Sequence, residues 1–358
     1  MSRFFLPFLL SLLSFSGFSQ ANYNVTDPEK DFKEAKYYFI KGDYSIAYPL
    51  LKPLMGKYPE NTKSSHAYLN QDIEYYYIVC ELKLNQEIAE DAAKRFIEAS
   101  DNEPRQQLMS FNLAQYYFTK NDYAHSIIYY ERAGYNNLSN EQIADSKFEL
   151  AYSYFNVGRF SDAKPLFNEI HQLPGNKYYY DANYYYGFLC YRDGNYNEAL
   201  VSFQKVESIP KYRSLVPYYI AQIYYFQGNK DQALRYGESK LNQDNLYYRK
   251  DLSLLMGQIY FEKKEFSKAL PLLESYVNSS DKVSKEVMYE LSYCYYNDNQ
   301  VNKAIEGFKQ LSNEKDSLGQ NSMYLLGDLY LRTDQKENAR NAFAYSADNG
   351  SNRKLQEI

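Results

Sequence analysis

Aromatic side chains that recur at helical spacing are the residues of this sequence best suited to binding. Tyrosine accounts for 43 of the 358 residues, whereas tryptophan is absent. Several segments carry three aromatic residues at positions i, i+4 and i+7, a spacing that places them on one face of a helix. A tyrosine combines a large apolar ring with a polar tip and has few rotatable bonds to immobilise, so such a face could hold a ligand. The clearest trios are Phe148/Tyr152/Phe155, Tyr184/Phe188/Tyr191 and Tyr289/Tyr293/Tyr296.

Three further segments have glutamine in the middle of a similar trio. A side-chain amide both donates and accepts hydrogen bonds, which is the chemistry needed to bind the backbone of a peptide. Tyrosine is also a common filler between packed helices, and for any single tyrosine packing is the simpler explanation. These segments are Phe111/Gln115/Phe118, Tyr218/Gln222/Tyr225 and Leu254/Gln258/Phe261.

The side chains that usually perform catalysis or bind metals are few and scattered. They are His66, His125, His171, Cys80, Cys190 and Cys294. The histidines have no metal-ligand spacing, and we expect them to be exposed. The cysteines lie more than a hundred residues apart, so we expect buried free thiols. No glycine-rich phosphate loop, GxSxG elbow or HExxH motif occurs, and the sequence predicts no catalytic residue, cofactor or metal site.

A repeat underlies these side chains and spans nearly the whole chain. Each unit has a small residue, usually an aromatic residue three positions later, an alanine twelve positions after the small one, and a large apolar residue four further on. The second copy lacks the aromatic residue. Successive small residues are 34 to 37 positions apart after a first gap of 45. They are Ala35, Cys80, Ala114, Ala151, Gly187, Ala221, Gly257, Ser292 and Gly327.

The pattern predicts two antiparallel helices in each unit. A small residue facing an alanine lets the helices approach closely, and the large residue fills the space beside them. Glycine or asparagine in the intervening turn tolerates the left-handed conformation that ends a helix. A single hairpin of this size cannot bury its apolar face, so neighbouring hairpins must stack on it. The predicted turn residues are Gly42, Asn121, Gly158, Gly194, Gly228 and Asn299.

The period and the order of these residues resemble the tetratricopeptide repeat family. The resemblance extends over residues 28–350 and implies an all-α fold, a right-handed superhelical solenoid of about nine helical hairpins. Residues 20–27 would be a short N-terminal segment. Residues 351–358 would be a truncated tail or the start of a further repeat, and a fragment of a longer array is favoured over an exposed last helix. The predicted units lie near residues 28–61, 73–106, 107–140, 144–177, 180–213, 214–247, 250–283, 285–318 and 320–350.

The same resemblance implies where a partner would bind. The first helices would line a concave groove, with the middle member of each trio pointing into it and the outer two packing between units. We expect a non-catalytic scaffold that binds a protein or peptide. The alternatives are a module that binds glycans or cell-wall fragments, and the docking arm of a longer protein. The candidate partner-binding residues are Gln115, Tyr152, Tyr184, Phe188, Tyr191, Gln222, Gln258, Tyr289, Tyr293 and Tyr296.

Residues 1–19 have the features of a secretory signal peptide. Arg3 precedes an apolar stretch that contains Pro7, and a small residue, Ser19, precedes Gln20. The stretch is shorter than the roughly 18 residues of a membrane-spanning helix. We expect cleavage near Ser19 and residence in the periplasm or at the periplasmic face of an outer membrane, with an uncleaved anchor as the alternative. Losing Arg3 takes the net charge from -5 to -6, and so weakly acidic a chain is a poor nucleic-acid binder.

Overall fold

Two helices form in every repeat of the sequence. The structure, a computed structural model, describes residues 28–57 and 66–348. These residues form eighteen α-helices and one short 3-10 helix, Lys52–Leu54, and no strand. The helices are α1 (Pro28–Ile40), α2 (Tyr44–Leu51), α3 (His66–Lys83), α4 (Ala89–Ala99), α5 (Glu103–Thr119), α6 (Tyr123–Ala133), α7 (Asn140–Asn156), α8 (Phe160–Ile170), α9 (Tyr179–Arg192), α10 (Tyr196–Val206), α11 (Val216–Phe226), α12 (Lys230–Leu241), α13 (Arg249–Glu262), α14 (Phe266–Asn278), α15 (Lys285–Asn297), α16 (Val301–Gln310), α17 (Ser317–Arg332) and α18 (Lys336–Asp348).

Each odd-numbered helix packs against the even-numbered helix that follows it. The prediction of an all-α fold with about nine hairpins is thereby confirmed for the described residues. Two compact units divide the chain after Leu138. The N-terminal unit holds hairpins one to three, and the C-terminal unit holds hairpins four to nine. The predicted signal peptide (1–19), the segment 20–27 and the tail 351–358 lie outside the described residues.

Inside the hairpins, the small residues make the close contacts that the repeat predicts. A Cβ atom added to Gly187 would lie 3.2 Å from the ring of Phe203, and one added to Gly327 would lie 2.6 Å from the ring of Phe343. Ala199 and Phe203 are fully buried. Glycine at these positions therefore lets a bulky ring of the second helix lie directly against the first helix.

The turns between the helices also follow the sequence. All six predicted turn residues have positive φ values, from 57° to 81°. Only glycine and, less readily, asparagine adopt this region without a steric penalty. The prediction of left-handed turn residues is confirmed at Gly42, Asn121, Gly158, Gly194, Gly228 and Asn299.

The second hairpin departs from the predicted register. The sequence pattern assigns its contact alanine to Ala92, but Ala92 is only half-buried, whereas Ala89 and Ala93 are fully buried. This copy has a lysine, Lys83, where seven of the other eight copies have a tyrosine, so one of the residues that fix the register is missing. The assignment of Ala92 is therefore wrong.

Tyrosine side chains connect neighbouring hairpins. Several donate their hydroxyl hydrogen to a carboxylate that lies 21 to 33 residues away in the sequence. Burial raises the pKa of residues such as Tyr236, so the hydroxyl keeps its proton and acts as the donor. Much of the tyrosine content therefore serves packing. Examples are Tyr178 to Asp145 (2.8 Å), Tyr236 to Glu207 (2.8 Å) and Tyr295 to Glu274 (2.6 Å).

The three cysteines are buried and free, as predicted. Burial raises the pKa of the Cys190 thiol to about 11 and that of Cys80 to about 12. A thiol with so high a pKa is not a nucleophile at neutral pH, so these residues act as small apolar side chains.

Candidate functional site

In the C-terminal unit, the first helices of neighbouring hairpins lie beside one another. α11 contacts α13, α13 contacts α15, and α15 contacts α17. Each of these helices carries two equivalent positions on the side where they meet: the residue after the small residue, and the residue three positions further on. We call this row the first-helix face. It is formed by Tyr152, Phe155, Phe188, Tyr191, Gln222, Tyr225, Gln258, Phe261, Tyr293, Tyr296, Asp328 and Leu331.

Aromatic contacts link several of these helices. Phe155 of α7 contacts Phe188 of α9, with ring centroids 5.6 Å apart. Phe261 of α13 contacts Tyr293 of α15 at 5.7 Å. All four rings are half-buried, so each packs against its neighbour while part of its surface stays in contact with solvent.

Polar contacts link the same helices at other positions. The hydroxyl of Tyr296 donates to Asp328, and burial raises the pKa of Tyr296 to about 12. At neutral pH such a hydroxyl keeps its proton and remains a donor. Both aromatic and hydrogen-bonded contacts therefore join the first helices along this face. The inter-helix hydrogen bonds are Tyr191 to Gln222 (2.7 Å), Tyr225 to Glu262 (2.7 Å), Gln258 to Glu290 (3.1 Å) and Tyr296 to Asp328 (2.7 Å).

The candidate glutamines bond to side chains of the same protein. Oε1 of Gln222 accepts from Tyr191, and its Nε2 donates to the hydroxyl of Tyr218 at 2.7 Å. Gln115 belongs to the N-terminal unit, where its Oε1 accepts from Lys83 at 2.8 Å. The sequence assigned these amides to a partner's backbone. A bound peptide would have to share or replace the bonds that Gln222 already makes.

The first members of two trios pack against other parts of the array, Tyr184 against the segment before the next hairpin and Tyr289 against the second helix of its own hairpin. Tyr184 stacks on Tyr212 with ring centroids 4.4 Å apart, and Tyr289 contacts Phe308 at 5.9 Å. Burial raises the pKa of both Tyr184 and Tyr289 to about 12. Both residues are half-buried and serve packing, Tyr184 towards the next hairpin and Tyr289 inside its own.

Exposed apolar side chains lie where the first helices end, Leu331 on the face itself and Val157 and Phe226 beside it. Val157 is 43% exposed, Phe226 49% and Leu331 54%. Phe226 stacks on Tyr196 with ring centroids 5.4 Å apart. Sequence reasoning missed these residues. The available signal was the apolar Phe226 at a position where other first helices have Asn156, Arg192, Glu262 and Asn297.

Two carboxylates on this side have cationic partners. Glu262 forms an ion pair with Lys230 at 2.8 Å in addition to accepting from Tyr225. Asp328 forms one with Arg332 at 2.7 Å, and Arg332 also donates to the hydroxyl of Tyr296. These charges are compensated within the protein.

A cavity of about 610 Å³ lies between α8 and α9, away from the face. Lys164 and Asp193 line it and form an ion pair at 2.6 Å. Arg192, at its edge, lies 4.0 Å from the ring centroid of Phe160. Lys164 and Asp193 are therefore paired with each other. The guanidinium of Arg192 contacts an aromatic ring instead of an anion.

One histidine differs from the prediction of exposure. His171 is half-buried and stacks on Tyr186 with ring centroids 4.1 Å apart, and burial lowers its pKa. His125 is exposed and contacts Asp122 at 2.8 Å. Across the described ranges, no group of three His, Cys, Asp or Glu residues could hold a metal ion. No helix of those ranges is long and apolar enough to cross a membrane.

Comparisons with known proteins point to one family. Family models described as tetratricopeptide repeat match residues 81–136, 286–315 and 320–344. The first match lies in the N-terminal unit and the other two lie in the C-terminal unit. Curated protein sequences give no match.

Solved structures resemble the chain at low sequence identity. YrrB, described as a TPR protein with an unusual peptide-binding site, is 16% identical, covers 54% of this chain and 98% of its own, and has a TM-score of 0.45. A tetratricopeptide repeat protein from Parabacteroides merdae is 16% identical, covers 75% of this chain and 98% of its own, and has a TM-score of 0.39. PilF of Pseudomonas aeruginosa is 15% identical, covers 57% of this chain and 90% of its own, and has a TM-score of 0.44.

Proposed function

Because the chain belongs to the tetratricopeptide repeat family, we propose that it is a non-catalytic scaffold that binds a protein or peptide on the first-helix face. Repeats of this kind are generally interaction modules, and fold alone does not name the partner. The observation that carries the proposal is the row of half-buried aromatic and amide side chains from Tyr152 to Tyr296, with exposed Leu331 on the same face and exposed Phe226 beside it.

The physical argument concerns the partial burial of these rings. A ring that served packing alone gains most when it is fully buried, as Phe203 is. Phe188 and Tyr293 keep part of their surface open, and Phe226 keeps about half. Aromatic side chains left open in a row are typical of recognition surfaces, where they bury the rest of their area against a partner.

We also propose that the protein acts in the cell envelope, in the periplasm or at the periplasmic face of an outer membrane. The support is the signal-peptide pattern of residues 1–19. Cell fractionation with N-terminal sequencing tests this. A mature chain that begins near Gln20 in the periplasmic or membrane fraction is expected, and an uncleaved chain in the cytoplasmic fraction would overturn it.

Photocrosslinking in intact cells tests the binding surface. A benzophenone side chain replaces Phe226, beside the face, or, as the matched control, Val201 on α10, which is 56% exposed. A discrete protein adduct is expected from position 226 and none from position 201. Adducts from both positions, or none from 226, would overturn the proposed surface. An adduct at 226 that contains glycan and no protein would favour the glycan alternative.

A further inference from the structure

The seventh and eighth hairpins contain a carboxylate whose charge the protein does not compensate. Glu290 of α15 is half-buried and accepts a hydrogen bond from Nε2 of Gln258, at 3.1 Å to Oε2 and 3.5 Å to Oε1. Within the part of the chain that the structure describes, no Lys, Arg or His lies within ion-pair distance of it. A carboxylate removed from water without a cation is costly for the folded state.

The nearest charges make this cost larger. Burial raises the pKa of Glu290, and the negative charges of Glu262 at the end of α13 and Glu286 at the start of α15 raise it further. Lys230, a nearby cation, is already paired with Glu262. The surroundings of Glu290 therefore lack one positive charge.

Aromatic side chains lie one helical turn from this carboxylate. Tyr293 follows Glu290 by three positions, and Phe261 follows Gln258 by three, so both share the side where α13 and α15 meet. Their ring centroids lie 5.7 Å apart, so the same two helices are joined by this aromatic contact and by the Gln258–Glu290 hydrogen bond. A carboxylate beside open aromatic faces matches a lysine or arginine side chain, because the carboxylate pairs with the cation and a ring attracts it.

We infer that the first-helix face selects its partner by a basic side chain, which pairs with Glu290 and lies against Phe261 and Tyr293. This inference rests on the proposed function and specifies the chemistry of the peptide. Charge complementarity favours a basic peptide over a second copy of this chain, whose net charge is -5.

Selection from a phage-displayed library of random nonapeptides tests the inference. The targets are the unaltered protein, the Glu290→Gln variant and the Glu306→Gln variant. Gln at position 290 can still accept from Gln258, so the fold is retained. Glu306 is exposed on α16 of the same hairpin, and its replacement changes the net charge equally. We expect peptides with a fixed lysine or arginine from the unaltered protein and from E306Q, and no such preference from E290Q.

The outcomes separate the inference from the proposed function. A selected peptide should bind E290Q about tenfold more weakly than E306Q, the usual effect of losing one charged hydrogen bond. Enriched peptides without a basic residue, or a basic preference that E290Q keeps, would overturn the inference and leave peptide binding intact. No enrichment of any peptide on any of the three proteins would overturn both.

Discussion

Gly187 and Phe188 are adjacent in the chain, yet they belong to two regions of the fifth hairpin with different constraints. Gly187 lies inside the hairpin, against the fully buried ring of Phe203. Phe188 lies on the first-helix face, half-buried against Phe155 and Tyr219. In the interior, the available volume limits which side chains fit, because the residues around it are closely packed. The face is only partly filled by the protein itself, and a partner can cover the remainder.

The largest effect is expected inside the hairpin. Replacing Phe203 by alanine leaves a cavity beside Gly187 and removes its stacking on Tyr219, and should lower the free energy of unfolding by about 3–5 kcal/mol. Urea denaturation followed by circular dichroism measures this. A loss below about 1 kcal/mol would show that the hairpin interior is not tightly packed.

The matched change on the face should have a smaller effect on stability. Phe188→Ala removes a ring that is already half open, so we expect a loss of about 1–2 kcal/mol. Partner binding should fall by about tenfold or more, because aromatic anchors dominate recognition. A variant as unstable as F203A with unchanged binding would assign Phe188 to packing alone.

These two residues also show what the sequence predicts well. Spacing and residue size identified Gly187, Ala199 and Phe203 as a contact, because a close approach of two helices demands small and large residues at fixed positions. The same reasoning placed Phe188 on a face of α9. It could not say that the ring contacts Phe155 and Tyr219, because the offset between neighbouring hairpins decides this.

The hydrogen-bond partners on the face could not be predicted from the sequence for the same reason. Gln258 and Glu290 are 32 positions apart, and nothing in either segment indicates that they bond. The glutamines were recognised as binding groups, but Gln222 already uses both ends of its amide within the protein. A rotamer and a neighbouring helix together determine such pairs, and the repeat pattern specifies neither.

A third variant separates packing tyrosines from those of the face. Tyr236 of α12 donates to Glu207, which is also paired with Lys240 at 2.6 Å. Tyr236→Phe keeps the ring and removes this hydrogen bond, and should cost about 1 kcal/mol. Binding should be unchanged, because the residue lies on a second helix. Weaker binding in an equally folded Y236F would show that the partner surface extends beyond the face.

The smallest stability effect should have the opposite sign. Burial and two nearby carboxylates raise the pKa of Glu290 above its ordinary value of 4.5. Between the ordinary and the raised value the folded state binds more protons than the unfolded state, so stability falls as pH rises through that window. The Glu290→Gln variant does not undergo this loss of stability, so it should be slightly more stable than the unaltered protein at neutral pH.

Thermal unfolding of E290Q and the unaltered protein at several pH values measures this difference. The gap should widen as pH rises from 4.5 to the raised pKa and stay constant above it. A variant less stable than the unaltered protein at pH 7 would mean that Glu290 has a stabilising cation after all.

The most direct test of the first-helix face combines crosslinking with these variants. The benzophenone at position 226 is introduced into the unaltered protein, into F188A and into Y236F, and adducts are compared at equal amounts of folded protein. We predict the same protein adduct in the unaltered protein and in Y236F, and its loss in F188A. An adduct that persists undiminished in F188A would contradict the central claim that this aromatic row holds the partner.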